Sequence, residues 1–250
     1  MSAEQQRAAR ERKAQIGPLI LIGVVASAIG IAVAIWIDWF PIQASEQGAK
    51  IDTLWDVLLI FSVPIFVLVE TTVLYCAIKF RMRPGEELLD GPPIHGNTRL
   101  EIIWTAIPAI LLVGLCTYAY IVLTDIEKAP AADVMNVRVV GEQFTWTFYY
   151  EGEDGKEIPS HRLYLPENQA VYFTVQSKDV IHDFWVEQLG QKQDVFPNKT
   201  THTWFEARRV GKYQGQCAEF CGPGHATMTI SVRVLSKEEF ASYMAQKAIS

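Results

Sequence analysis

Half of the 250 residues are hydrophobic, enough for one or two folded units with a sizeable core, and the mean hydropathy of +0.12 is high for a soluble protein. A formal net charge of −6 argues against nucleic acid as a partner, because no basic surface is available to neutralise phosphates. Glycine-rich phosphate loops and nucleophile-elbow patterns do not occur, which removes support for kinase, dehydrogenase, nucleotide-hydrolase and serine-hydrolase chemistry.

The first apolar run covers residues 17–37 without a charge, and at about 1.5 Å per residue it crosses a hydrocarbon core of roughly 30 Å. Arg7, Arg10, Arg12 and Lys13 precede it, as suits either a membrane anchor or a signal peptide; its length favours the anchor. A second run, residues 54–80, ends among Lys79, Arg81 and Arg83, and a third, residues 102–123, follows Arg99. The positive-inside rule then places the N-terminus and residues 81–99 in the cytoplasm, and residues 38–53 and everything after Thr124 outside. Pro64 and Pro108 fall within spans, where neighbouring helices can satisfy the freed carbonyls. Glu70 lies near the middle of the second span and is either a protonated packing residue or part of a proton route.

After Asp133 the periodicity changes to alternation. Val137 and Val139, then Val171, Phe173 and Val175, then Thr203, Phe205 and Ala207, then Ile230, Val232 and Val234 mark half-buried strands. Turn signals at Glu153-Asp154-Gly155, Pro166-Glu167-Asn168, Pro197-Asn198 and Gly222-Pro223-Gly224 separate them, which predicts a small all-β Greek-key sandwich. Ser236 and Glu239 form a capping box for a closing helix whose apolar stripe is Phe240, Tyr243 and Met244.

Cys76 and Cys116 sit in the apolar runs as small hydrophobes, leaving Cys217 and Cys221 to be explained. The segment from Gln216 to Met228 packs Cys217, Cys221, His225 and Met228 into one loop, and a thioether among thiolates and imidazoles favours copper over zinc. His182, at the end of a strand, can supply a second imidazole. Taken singly, each residue has a plainer role: a Cys217–Cys221 disulfide, Met228 as core, either histidine on the surface. Taken together, two thiolates beside two imidazoles exceed what a mononuclear blue-copper site needs and suggest two metals bridged by two sulfurs.

With these motifs the chain resembles subunit II of the cytochrome c oxidases, from the second span to Val234. Cys217-Ala218-Glu219-Phe220-Cys221 with His225 and Met228, and Asp179-Val180-Ile181-His182 upstream, look like the family's dinuclear copper (CuA) ligand set. The resemblance implies that Cys217 and Cys221 bridge both coppers, that His182 and Met228 complete one, and that His225 and the Glu219 carbonyl complete the other. It implies further that the Glu219 carboxylate reaches a magnesium ion shared with the catalytic subunit, and that Glu101, in the run from His95 to Thr105, is the acid at the mouth of a proton channel. As an alternative, Glu101 caps its own helix. Lys192-Gln193-Asp194-Val195-Phe196-Pro197 matches a loop near the subunit interface. Where the family carries a tryptophan that receives electrons, this chain has Phe144, with Trp146 as a second candidate, and the family's glycine after the loop proline is Asn198.

The expected architecture is therefore transmembrane helices plus all-β. Residues 1–53 form an anchor or signal segment and outer loop, residues 54–124 a transmembrane helical hairpin, and residues 125–250 an extracytoplasmic cupredoxin-like CuA domain. The implied function is acceptance of electrons from cytochrome c, and their transfer to subunit I for proton-pumping reduction of O2 to water. Glu142, Glu151, Glu153, Asp154, Glu157, Asp183 and Glu187 offer an acidic patch that could steer a basic cytochrome. No Cys-x-x-Cys-His haem motif occurs, so the donor is a separate protein. The implied partners are subunit I, other oxidase subunits and the bilayer of a bacterial-type cytoplasmic membrane, with copper on the outer face. A quinol-oxidase subunit would lack the copper ligands, and a free-standing copper carrier would have no use for Glu101 and Glu219.

Overall fold

Three apolar helices account for the high hydropathy. In the computed structural model, which describes residues 16–81, 95–129, 133–152 and 155–249, they are α1 (Ile16–Trp36), α2 (Glu46–Lys79) and α3 (Thr98–Glu127). Each is long and apolar enough to cross a membrane, and hardly any of their apolar side chains are buried. In water that surface would drive aggregation, whereas in lipid it needs no cover. The basic residues before α1, together with Arg83, Glu153 and Asp154, lie outside the described residues.

The chain divides into two compact units. One holds α1, most of α2 and most of α3. At Gly30 an added Cβ would come within 2.8 Å of Val63 Cγ1, so the glycine lets α1 lie close on α2. Pro64 and Pro108 are both inside helices, as anticipated.

The other unit comprises Trp39–Leu54 and Ala119–Ser250. Its centre is a sandwich of two five-stranded sheets with strand orders β3-β2-β1-β5-β8 and β4-β10-β9-β6-β7. The strands are β1 (Val134–Glu142), β2 (Thr145–Glu151), β3 (Glu157–Ser160), β4 (Leu163–Pro166), β5 (Ala170–Ser177), β6 (His182–Trp185), β7 (Lys192–Val195), β8 (Thr201–Glu206), β9 (Gly211–Cys217) and β10 (Thr229–Leu235). The β1/β5 and β4/β10 pairs are parallel and the others antiparallel.

The alternation seen in sequence is the inward face. Val137, Val139, Val171, Phe173, Val175, Phe205, Ile230, Val232 and Val234 are all buried, as the period of two requires. Phe184 sits at the centre of this core, with ring centroids of Trp146, Phe148, Phe173 and Phe205 within 5.7 to 6.3 Å. Closing helix α4 (Lys237–Ile249) begins at the anticipated capping box: Glu239 N–H donates to Ser236 Oγ and Ser236 N–H to Glu239 Oε2, each at 3.2 Å. Asn198 adopts φ 60°, the left-handed turn expected of it.

The segment before α2 is woven into the sandwich. Ala44 N–H donates to Gln188 O at 2.7 Å, Arg208 N–H donates to Ala44 O at 2.6 Å, and Ser45 Oγ donates to Leu189 O at 2.7 Å. Gly190, at φ 96°, lies so close that a Cβ there would stand 2.9 Å from Gly48 Cα. Gly190 therefore allows a backbone approach that a side chain there would block.

Candidate metal centre

The two cysteines share one end of the second sheet because β9 and β10 form a long hairpin. Its closing ladder ends with Gln216 opposite Thr229, and Cys217 N–H donates to Met228 O at 2.9 Å. Everything between, residues 218–228, is loop apart from one 3-10 turn, His225–Thr227. On the other side β9 pairs with β6, Phe184 opposite Cys217, and Ala218 N–H donates to Asp183 O at 3.1 Å. This brings His182 beside the loop although 35 positions separate it from Cys217.

The resulting cluster is compact. Cys217 Sγ and Cys221 Sγ are 3.9 Å apart, His182 Nδ1 is 3.8 Å from Cys217 Sγ, His225 Nδ1 is 3.6 Å from Cys221 Sγ, and Met228 Sδ is 3.7 Å from Cys221 Sγ. The Glu219 carbonyl lies 3.2 Å from Cys217 Sγ. His182, Cys217 and Cys221 are buried, and their ligand atoms fall within 4.8 Å of one another, close enough to hold a metal ion. Both thiols are free, and their separation is almost twice a disulfide bond of about 2.05 Å. It is shorter than two metal–thiolate bonds of about 2.3 Å laid end to end, so both sulfurs could bond one ion. Burial, followed by the neighbouring Cys217 sulfur, pushes the Cys221 thiol up to about 11, a penalty that a bound cation would offset.

His182 is oriented from behind. Its Nε2 lies 2.8 Å from Asp179 Oδ1, so the tautomer with hydrogen on Nε2 leaves the Nδ1 lone pair facing the sulfurs. Burial works to raise the Asp179 carboxyl, but hydrogen bonds from Gln143 N–H, His182 and Val180 N–H outweigh it and hold the group below the usual aspartate range. Sequence reasoning placed Asp179 only within a motif and assigned it no task; its spacing three residues before His182 was the available signal.

The β1–β2 turn covers the loop. Gln143 Nε2 donates to Cys221 O at 2.5 Å, and the Phe144 ring lies so close to Gly224 that a Cβ there would come within 2.4 Å of it. Gly222, at φ 129°, also has Phe144 and Gln143 within 3.3 Å of its would-be Cβ. Glycine is needed at both positions for the turn to settle. Phe144 remains 36% exposed, whereas Trp146 is buried at 2% with its ring edge-on to His182 at 5.8 Å. Of the two sequence candidates for electron arrival, only Phe144 reaches the surface.

Other expected residues fall elsewhere. Glu219 and Phe220 project outward from the loop. Asp183 is buried, and burial together with Asp194 across the β6–β7 ladder pushes its carboxyl up to about 7. Glu101 lies in the first turn of α3, where its Oε1 accepts from Asn97 N–H at 3.1 Å while Asn97 Oδ1 accepts from Leu100 N–H at 3.1 Å. The helix-capping contact is thus made, together with Asn97. The acidic patch is not one surface: Glu142 pairs with Lys178 at 2.6 Å, Glu157 pairs with Arg138, and Asp183 is buried. Glu151, at the far end of β2, stands about 20 Å along the strand from the Thr145 end beside the cysteine loop.

Comparison with known proteins accounts for both units. The family description "Cytochrome C oxidase subunit II, transmembrane domain" matches residues 32–122, and "Cytochrome C oxidase subunit II, periplasmic domain" matches residues 156–235. A probable cytochrome c oxidase subunit 2 of Rickettsia bellii is 33% identical over 231 residues, 85% of this chain and 84% of that protein. The chain belongs to the cytochrome c oxidase subunit II family. The cytochrome c oxidase subunit 2 of Alkalihalophilus pseudofirmus is 37% identical over 174 residues, which span 66% of this chain and 49% of that protein. Among solved structures, the periplasmic domain of cytochrome oxidase subunit II of Bradyrhizobium japonicum is 30% identical, covering 48% of this chain and 97% of that one at a TM-score of 0.45. Within this family the three apolar helices fit a membrane protein, and the histidine–cysteine cluster is a possible copper site in a cupredoxin-like domain.

Proposed function

We propose that the chain is the electron-accepting subunit of a cytochrome c oxidase and holds a dinuclear copper centre at the end of its sandwich. The observation that carries this reading is the pair of free, buried thiols 3.9 Å apart with His182, His225 and Met228 each within 3.8 Å of one of them. Cys217 and Cys221 would bridge both ions, His182 and Met228 would complete one, and His225 with the Glu219 carbonyl the other. When bound, such a pair spreads one electron over two bridged ions and changes shape little between redox states.

The chain's own residues prepare for this. Asp179 fixes the His182 tautomer, Met228 closes the buried side against water, and Gln143 and Phe144 hold down the loop that carries Cys221. Phe144 offers donor proteins a partly exposed ring in contact with that loop, and the electron continues inward toward a haem-copper subunit that reduces O2 to water with proton pumping. The outward Glu219 carboxylate supplies a ligand for a magnesium ion at the junction with that subunit, and Glu101 the mouth of its proton channel. The positive-inside distribution supports an outer face for residues 125–250, a helical hairpin over residues 54–124 and a retained anchor in residues 1–53 of a bacterial-type cytoplasmic membrane.

The test is a metal count and an electron paramagnetic resonance spectrum of the purified, copper-loaded chain. Two coppers per chain and a purple mixed-valence signal are expected; one copper with a blue-type spectrum refutes the bridged site. Cys217→Ser should abolish the mixed-valence signal.

A further inference from the structure

The charged side chains around the β1–β2 turn neutralise one another. Glu142 pairs with Lys178 at 2.6 Å, and the backbone holds the two side by side, because Lys178 N–H donates to Gly141 O at 3.1 Å. Arg138, four residues before Glu142 on β1, pairs with Glu157, and its guanidinium lies over the Tyr149 ring at 3.9 Å from the centroid. Asp179 directs its oxygens to Gln143 N–H, Val180 N–H and His182. Two bases thus answer two acids, and the third acid is held by neighbours within the fold.

Apolar side chains remain facing outward beside the cysteine loop. Phe144 lies in the turn and is partly exposed. Ile181, 42% exposed, precedes His182 on the segment that Asp179 ties to Gln143 N–H. Pro223 and Ala226 are exposed on the loop itself. The polar groups among them are engaged internally: the Gln143 amide donates to Cys221 O, and the Thr227 hydroxyl donates to Gly224 O at 2.8 Å. Grouped apolar exposure with a polar border marks a place where another protein sits, and a border without excess charge exerts little long-range pull on either sign.

We propose that this rim receives an electron-donor protein whose own transfer face is apolar and free of excess charge, and that Lys178 disfavours donors ringed by lysines. This rests on the reading of the chain as the electron-accepting subunit and deepens it by naming the chemistry of the donor's surface. Charge complementarity selects the occupant. A basic face would set its lysines against Lys178 and Arg138 while finding Glu142 and Glu157 already paired, and an acidic face would meet the converse. An uncharged face leaves every existing pair intact and covers Phe144 and Ile181.

The test uses the full, copper-loaded chain in the assembled oxidase and two soluble probes: a cytochrome c whose haem edge is ringed by lysines, and one whose haem edge is ringed by uncharged side chains. Binding to the immobilised oxidase is followed by surface plasmon resonance from about 0.01 M to about 0.15 M ionic strength, over which the screening length falls from about 30 Å to about 8 Å. The uncharged cytochrome should bind the tighter of the two at the higher ionic strength. Its association rate should change less than about twofold across the range, where steering by opposite charge would change it about 10-fold or more. Ile181→Ser should weaken its binding several-fold while the electron paramagnetic resonance spectrum stays that of the parent. Lys178→Gln frees Glu142 and should raise association of the lysine-ringed cytochrome several-fold at low salt, with the uncharged one little changed. Tighter and steeply salt-dependent binding of the lysine-ringed cytochrome to the parent, no binding of either probe, undiminished binding with Ile181→Ser, or no gain with Lys178→Gln overturns the proposal. Binding is read without electron transfer, so a missing two-copper signal counts against the metal centre and leaves the docking result to be judged by itself.

Discussion

Met228 separates a copper ligand from a plain core residue most cleanly, because the two roles respond differently to leucine. The side chain is completely buried, and its Sδ lies 3.7 Å from Cys221 Sγ. Leucine has nearly the same volume, so Met228→Leu should cost the copper-free protein less than about 1.5 kcal/mol. Alanine leaves a cavity and should cost about 2–5 kcal/mol. Copper binding should follow another pattern. Both substitutions remove the thioether, so both should shift the midpoint potential and the copper hyperfine pattern, and both should lower affinity to a similar degree. The assay is denaturant unfolding in detergent, followed by near-ultraviolet circular dichroism of the buried aromatic cluster, with and without copper. The loaded-minus-free difference in stability measures binding, at about 1.4 kcal/mol for each factor of ten in affinity. A leucine variant with the parent's potential, spectrum and copper-dependent stabilisation would show that Met228 only fills space.

Asp179→Ala removes the acceptor behind His182 Nε2, and copper affinity should fall about 10–100-fold, as titration against a competing chelator would measure; an unchanged affinity contradicts the orienting role. Gly215→Ala places a Cβ 2.4 Å from the Trp185 carbonyl, a backbone atom unable to swing aside, and should destabilise the sandwich unit by about 1–3 kcal/mol while copper binding is retained. Glu46 is held below the usual carboxylate range first by its hydrogen bond from Arg208 and then by Lys50. A lowered folded-state value stabilises the ionised form, so the benefit is present above the unfolded value of about 4.3 and fades as pH falls through the depressed one. Glu46→Gln should therefore cost about 0.5 kcal/mol at pH 7, the group being half exposed, and nothing measurable near pH 2; a constant difference across that range would contradict the pairing.

The spans were readable because stretches of about 20 predominantly apolar residues admit few other fates, and the strands because each inward side chain recurs with period two. The loop half of the cluster was readable because Cys217, Cys221, His225 and Met228 lie within one short segment, and the structure brings them together there. The start of α2 was less legible. Residues before Leu54 carry Glu46, Lys50 and Asp52, and hydropathy alone treats such polar turns as loop, whereas the helix begins at Glu46 with its first turn tied to Arg208. The acidic residues misled for a related reason: a string of letters counts charges but does not show that Lys178 and Arg138 neutralise two of them or that Asp183 is buried.

By itself, the sequence determined which chemistry is available: soft donors in one loop, a distant imidazole, and enough apolar length to cross a bilayer three times. Only the tertiary structure decided what meets what. Pairing of β6 with β9 carries His182 to the sulfurs, and the β1–β2 turn lays Gln143 and Phe144 over the loop while Trp146 is buried. Side-chain identity and local period are properties of neighbouring positions, whereas these contacts join residues tens of positions apart and depend on strand register, which no local pattern encodes.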